Sequence, residues 1–127
     1  MTTARDLITQ SLVSLAVLSG NEVPTAEEAD SALVVMNQFF NSWRFEGIDL
    51  EWIDITLNDD VPYPKDHIQP FRYNLAMALA PEYGVMPSPL VVAMAKQGYD
   101  QMQREYMDNR LLSTDDALHA VYAPNRP

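Results

Sequence analysis

The chain has 127 residues, 47% of them hydrophobic, with 8 Lys plus Arg against 18 Asp plus Glu and no cysteine. One domain with a modest core is the expectation for this length, and the lack of cysteine excludes disulfide frameworks, Cys-based zinc sites and thiol nucleophiles. A net charge of −10 repels nucleic acid. No stretch reaches the roughly 18 uninterrupted apolar residues of a membrane span, and an acid stands directly before the first apolar run, so the expectation is a soluble, unprocessed protein with no membrane partner.

Helix punctuation then divides the chain. Thr3 with Asp6 makes a capping box ahead of a stripe of Ala4, Leu7, Ile8, Leu12, Leu15 and Leu18, and Gly20 supplies a stop. Pro24-Thr25 followed by Glu27 and Glu28 starts a second helix, predicted to run to Glu46 and to end at Gly47. Its core face reads Ala29, Leu33, Met36, Phe40 and Trp43, the seam of a helix packed along a neighbour.

Residues 48–57 change period. Ile48, Leu50 and Trp52 alternate with acids, then Ile53, Ile55 and Leu57 alternate in the opposite phase. One strand cannot hold both sets on one face, so a bulge or a change of partner is expected at Trp52-Ile53. Asn58 to Pro64 is a loop, because Pro62 and Pro64 remove donors and force extended neighbours.

Asp66 with Gln69 opens a third helix, with Pro70 tolerated as a first-turn residue. From Phe71 to Ala80 this helix is apolar nearly all round, which places it in the middle of the domain, and Pro81 ends or kinks it near Gly84. Ser88-Pro89 starts a fourth helix with the stripe Val91, Ala95, Tyr99, Met102 and Tyr106. Beyond Arg110 the signals weaken to one short helix capped by Ser113 and an extended Pro-containing tail. The expected fold is all-α: a small bundle of about four main helices with an extended or β-like central excursion and a C-terminal arm. Residues 1–106 form the helical domain, with the excursion at 48–65, and residues 107–127 the arm.

Catalytic chemistry finds little support. His67 and His119 are the only histidines and, with no cysteine, neither has a spacing partner for a metal. Asp59-Asp60 and Asp115-Asp116 read as solvated caps, since acid catalysis would need a dry pocket to raise a carboxyl pKa. No glycine-rich phosphate loop is present, and the expectation is no enzyme, no cofactor and no metal.

More informative are apolar residues off the core stripes. Val13 and Val17 lie on a face otherwise made of Arg5, Asp6, Thr9, Gln10 and Ser14; Val34 and Phe45 share a flank with Gln38 and Asn41; and Trp52 and Ile53 point in opposite directions. These are candidate subunit-interface residues. Leu111, Leu112, Val121 and Tyr122 are candidate docking residues of the arm. Seven acids and one base fall between Glu46 and Asp66. Asp54, Asp59 and Asp60 of that cluster form a solvated face, or an acidic surface that turns nucleic acid away or meets a basic partner.

Two stretches carry a likeness. One is the first helix followed by Glu22-Val23-Pro24-Thr25-Ala26-Glu27-Glu28-Ala29, Met36-Asn37, Trp43 and Glu46-Gly47; the other is Tyr73-Asn74-Leu75-Ala76-Met77-Ala78-Leu79-Ala80-Pro81-Glu82-Tyr83-Gly84. In this order they resemble the head-to-tail adaptor family of short-tailed bacteriophages, also called packaged-DNA stabilization proteins or tail accessory factors, over residues 3 to about 106. The resemblance implies a structural virion protein at the head-to-tail junction, assembled in the host cytoplasm. Its implied partners are the portal protein, neighbouring copies in a ring of typically twelve, and a downstream tail or nozzle protein, with packaged DNA passing through unbound. Asp54, Asp59 and Asp60 would then face the DNA channel. The alternative is an acidic helical module that binds a basic protein or mimics DNA.

Overall fold

The computed structural model describes the backbone of residues 2–122 and the side chains of residues 2–107. The described residues form four α-helices: α1 (Ala4–Ser14), α2 (Ala26–Ser42) continued by a 3₁₀ turn (Trp43–Glu46), α3 (Lys65–Tyr83) and α4 (Pro89–Tyr122). The protein is all-α, and the excursion between α2 and α3 is extended without forming a strand among the described residues; its one β-bridge joins Thr3 to Asp60.

Both expected capping boxes are present. Thr3 and Thr25 each accept from the third backbone N–H of their helix, while Asp6 and Glu28 reach back to the cap N–H. α1 ends earlier than Gly20. Ala16 takes the left-handed conformation, with φ 62°, and the N–H groups of Ala16 and Val17 bond back to the carbonyls of Val13 and Leu12. This Schellman closure folds Leu15 and Leu18 back onto the core, so the apolar stripe outlives its helix. Gly47, with φ 89°, ends the 3₁₀ turn after α2.

α3 packs against α1, α2 and α4 and is the middle of the fold, as its apolar girth predicts. Phe71, Leu75, Ala76 and Leu79 are all buried. Its cap is Pro64 and not Asp66, so Pro70 falls in the second turn, where its missing N–H leaves one helical bond unmade. That face is closed by α4: Gly98 is so close to Pro70 that an added Cβ would lie 2.8 Å from the Pro70 Cα. Asn74, buried beside it, donates to Pro70 O at 2.8 Å and to Ala95 O at 3.0 Å, pinning the two helices together.

α4 is longer than its punctuation predicts. Ser88 caps it through the Val91 N–H, and Val91, Ala95 and Met102 are buried as expected. The helix then runs without a break to Tyr122, where a separate helix capped by Ser113 was expected. The division between residues 106 and 107 thus falls inside one helix. Ala123 to Pro127 and the side chains of the arm, those of Leu111, Leu112, Val121 and Tyr122 included, lie outside the described residues.

Candidate interaction surfaces

The excursion is held by backbone groups that a helix leaves unpaired. Of the first N–H groups of α1, Ala4 donates to Asp59 O at 2.9 Å and Arg5 to Leu57 O at 3.0 Å, Asp6 is satisfied by the Thr3 hydroxyl, and Leu7 closes the first helical bond to Thr3 O. Val61 N–H donates to Thr2 O at 2.8 Å from the other side. The return leg therefore serves as the cap of α1, and no sheet is needed to fix it.

The outgoing leg is held by Asn37. Its Oδ1 accepts from the Trp52 indole at 2.9 Å and from Ile55 N–H at 3.2 Å, and its Nδ2 donates to Ile55 O at 3.1 Å. One side-chain amide thus imitates a strand partner for Ile55 and orients Trp52. The phase slip has its cause one residue earlier: Glu51, at φ 52°, reverses the chain locally with no bulge in a ladder. Ile48 and Leu50 before it and Trp52 directly after it turn inward, and Ile53 is 80% exposed.

Trp52 is consequently a core residue and not surface. Its ring stacks on Tyr63 at 5.5 Å and lies 5.0 Å from Phe40, which in turn meets Phe71 at 4.5 Å. Val13 and Val17 are half-buried against the same core. Among the other candidates, Val34 is 56% and Phe45 79% exposed, and the Arg44 guanidinium lies 4.9 Å over the Phe45 ring. Val34 and Phe45 lie on α2 and its 3₁₀ extension, Ile53 on the excursion, and Val13 and Val17 by the end of α1. Val23, Met86 and Leu90 are further exposed apolar side chains that the sequence reading passed over.

Asp54, Asp59 and Asp60 are all exposed. Asp59 also has a local duty, accepting the Thr56 N–H at 2.8 Å, which fits its reading as a cap.

A buried polar pin ties the start of α3 to α4. His67 is 2% exposed; its Nδ1–H donates to the Asp66 carboxylate at 2.8 Å, which leaves Nε2 to accept from the Tyr106 hydroxyl at 2.8 Å. Glu105 joins Asp66 and His67 in a group whose ligand atoms lie within 4.8 Å of one another. Sequence spacing missed this meeting because Glu105 comes from a different helix. Both nitrogens of His67 are already engaged, so the group acts as a tether.

Burial dominates the tyrosine electrostatics. It pushes the Tyr63 hydroxyl up to about 12, with the charges of Tyr106, Glu51 and Asp49 adding to the effect, while the hydroxyl donates to Leu50 O at 2.9 Å. Tyr99 is raised to about 12 by burial and then by its 2.5 Å bond to Glu46, which joins α4 to the 3₁₀ turn. Burial first, then Glu105 and Asp66, raises Tyr106.

What the described residues assemble is a tethered helical scaffold whose polar groups are engaged in holding elements together and whose exposed features are surfaces. The P22 tail accessory factor family matches residues 45–113, more than half of the chain, and the protein belongs to that family. The family is one of structural phage-tail components and not an enzyme class, which makes the protein a virion component. The matched segment holds the end of the 3₁₀ turn, the excursion, α3 and most of α4. No curated protein matches the chain.

Proposed function

We propose that the protein is a head-to-tail adaptor: copies form a ring, typically of twelve, between the portal vertex and the tail, where they extend the DNA channel, retain the packaged genome and dock the next tail component. Membership of the tail accessory factor family carries this reading. The long α4 supports it, since 34 residues at about 1.5 Å each give a helix of about 50 Å, long enough to reach from a small bundle to a second body. In this reading Leu111, Leu112, Val121 and Tyr122 dock on the portal, and Val13, Val17, Val34, Phe45 and Ile53 serve contacts between subunits.

The exposed apolar residues are separated, so subunits alone associate weakly, whereas a portal ring raises the effective concentration of neighbours. Native mass measurement of the purified chain with and without portal protein tests this. A monomer or small oligomer alone and many copies bound to one portal ring is the expected result. Stable rings without portal would overturn the order of assembly, and no binding to portal would favour the acidic interaction module instead.

A further inference from the structure

The tether around His67 has the composition of a metal centre. The imidazole is fixed on three sides, with Tyr63 stacked on it at 6.0 Å, Phe71 edge-on at 5.7 Å and the Tyr106 hydroxyl on Nε2 at 2.8 Å. The Nδ1 edge faces Asp66, whose side chain is 62% exposed and has room to turn. Glu105 arrives from α4, also exposed, and one ligand atom of each of the three residues lies within 4.8 Å of the others. Two carboxylates beside one neutral imidazole concentrate negative charge, on a chain whose net charge of −10 already draws cations.

We propose that this group binds a divalent transition-metal ion of the zinc type, with His67 Nδ1, Asp66 and Glu105 as its ligands. An imidazole with two carboxylates suits zinc and its neighbours, whereas magnesium and calcium favour all-oxygen sets. Ligand bonds of about 2.1 Å in a tetrahedron set the ligand atoms about 3.4 Å apart. The Asp66 oxygen, 2.8 Å from Nδ1, therefore withdraws by about half an ångström and Glu105 swings in. Both carboxylates are exposed, so neither motion disturbs the core. The proton of His67 moves from Nδ1 to Nε2 by exchange with water, the ion takes the Nδ1 lone pair, and the Tyr106 hydroxyl turns from donor to acceptor. Tyr106 thereby becomes the outer partner that orients a metal-bound histidine, and the fourth position is left to water. Because Asp66 and His67 belong to α3 and Glu105 to α4, the ion locks the two helices where α4 runs on past Met102, its last buried residue among those described. The site does not depend on the adaptor reading.

Zinc titration of the full chain carrying His119→Gln tests the site, since His67 is then its one histidine. Calorimetry is expected to count one ion per chain, and the thermal midpoint to rise with zinc and not with the same concentration of magnesium. Asp66→Asn and Glu105→Gln keep the shape of the side chain and an oxygen that accepts hydrogen bonds, so they leave the zinc-free midpoint in place. Each weakens zinc binding by more than the roughly tenfold cost of losing an outer partner. Nitrogen-15 NMR of His67 supplies a readout that an ion elsewhere on the surface does not move: the proton sits on Nδ1 without zinc and on Nε2 with it. No zinc binding, an equal response to magnesium, unchanged affinity in Glu105→Gln, or a proton that stays on Nδ1 would each overturn the proposal.

Discussion

Ala16 occupies the C′ position of α1 at φ 62°, where an L side chain is strained and glycine is not. Ala16→Gly is therefore expected to stabilise the protein by about 1 kcal/mol, read as a higher urea midpoint with an unchanged slope. Asn37 is the opposite case, a residue whose worth is invisible in its type. Asn37→Ala leaves the Trp52 indole and both backbone groups of Ile55 without their partner, and a loss of about 2 kcal/mol is expected, with Trp52 fluorescence reporting the loosened excursion. The sequence shows the capping boxes because they are local, three residues across. It does not show that Ala16 turns the helix, since glycine is the usual signal and Gly20 offered itself nearby. Nor does it show the tie from Asn37 to Ile55, which spans 18 residues and depends on where the excursion comes to rest.

Elements were legible wherever hydrophobic period and punctuation agreed. α2 and the central position of α3 follow from their stripes, whereas the alternation at 48–57 has the period of a strand but no partner strand among the described residues, and Leu57 and Ile55 bond instead to α1 and to Asn37. α4 continues past Arg110 to Tyr122, where the sequence signals weaken. The contact of α3 with α4 depends on Gly98, which no period marks. Gly98→Ala gains helix propensity of about 1 kcal/mol, but its Cβ meets the Pro70 backbone, and overpacking of about 1–3 kcal/mol prevails. A net lowering of the thermal midpoint is expected, and a raised one would mean that the two helices separate without penalty. The hydroxyls of Tyr63 and Tyr99, which join the excursion and the 3₁₀ turn to their neighbours, give these contacts a pH signature. Both are raised in the folded state to about 12 from an ordinary value of 10. The unfolded chain then loses these protons first, so the stability they contribute is complete below about pH 10 and falls as pH rises from 10 to 12. Tyr99→Phe should flatten this alkaline decline, measured as denaturation midpoints across that interval.

At the scale of the whole molecule, family and fold class could be read from the sequence, because the helix around Tyr73 to Gly84 is both the centre of the bundle and the most distinctive string. Surfaces could not, since exposure depends on turns such as Glu51, which buried Trp52 and turned out Ile53. The proposed adaptor role makes two demands on those surfaces. Truncation after Asn109 removes the last turns of α4 and leaves every described core residue in place, so the far-ultraviolet helical signal and the thermal midpoint should change little while attachment to portal is lost; unchanged attachment would move the contact to the bundle. The second demand concerns the acids of the excursion. A channel wall that attracted phosphate would hold the genome through counterion release, and an acidic wall avoids this. The same acids repeated around a ring repel one another, so assembly should improve as salt rises toward physiological strength and the Debye length falls to about 8 Å. Asp59 is unsuited to the test, because its carboxylate holds the Thr56 N–H and its loss would loosen the turn. Asp54 and Asp60 are exposed, and the Asp60 bridge to Thr3 is made by backbone. Asp54→Asn with Asp60→Asn therefore changes charge and leaves the fold alone. If these residues face the channel, particles of normal number and composition should form with slower ejection, or altered retention, of DNA. Wild-type behaviour in both would place the acids on the outside of the ring as ordinary solvated surface.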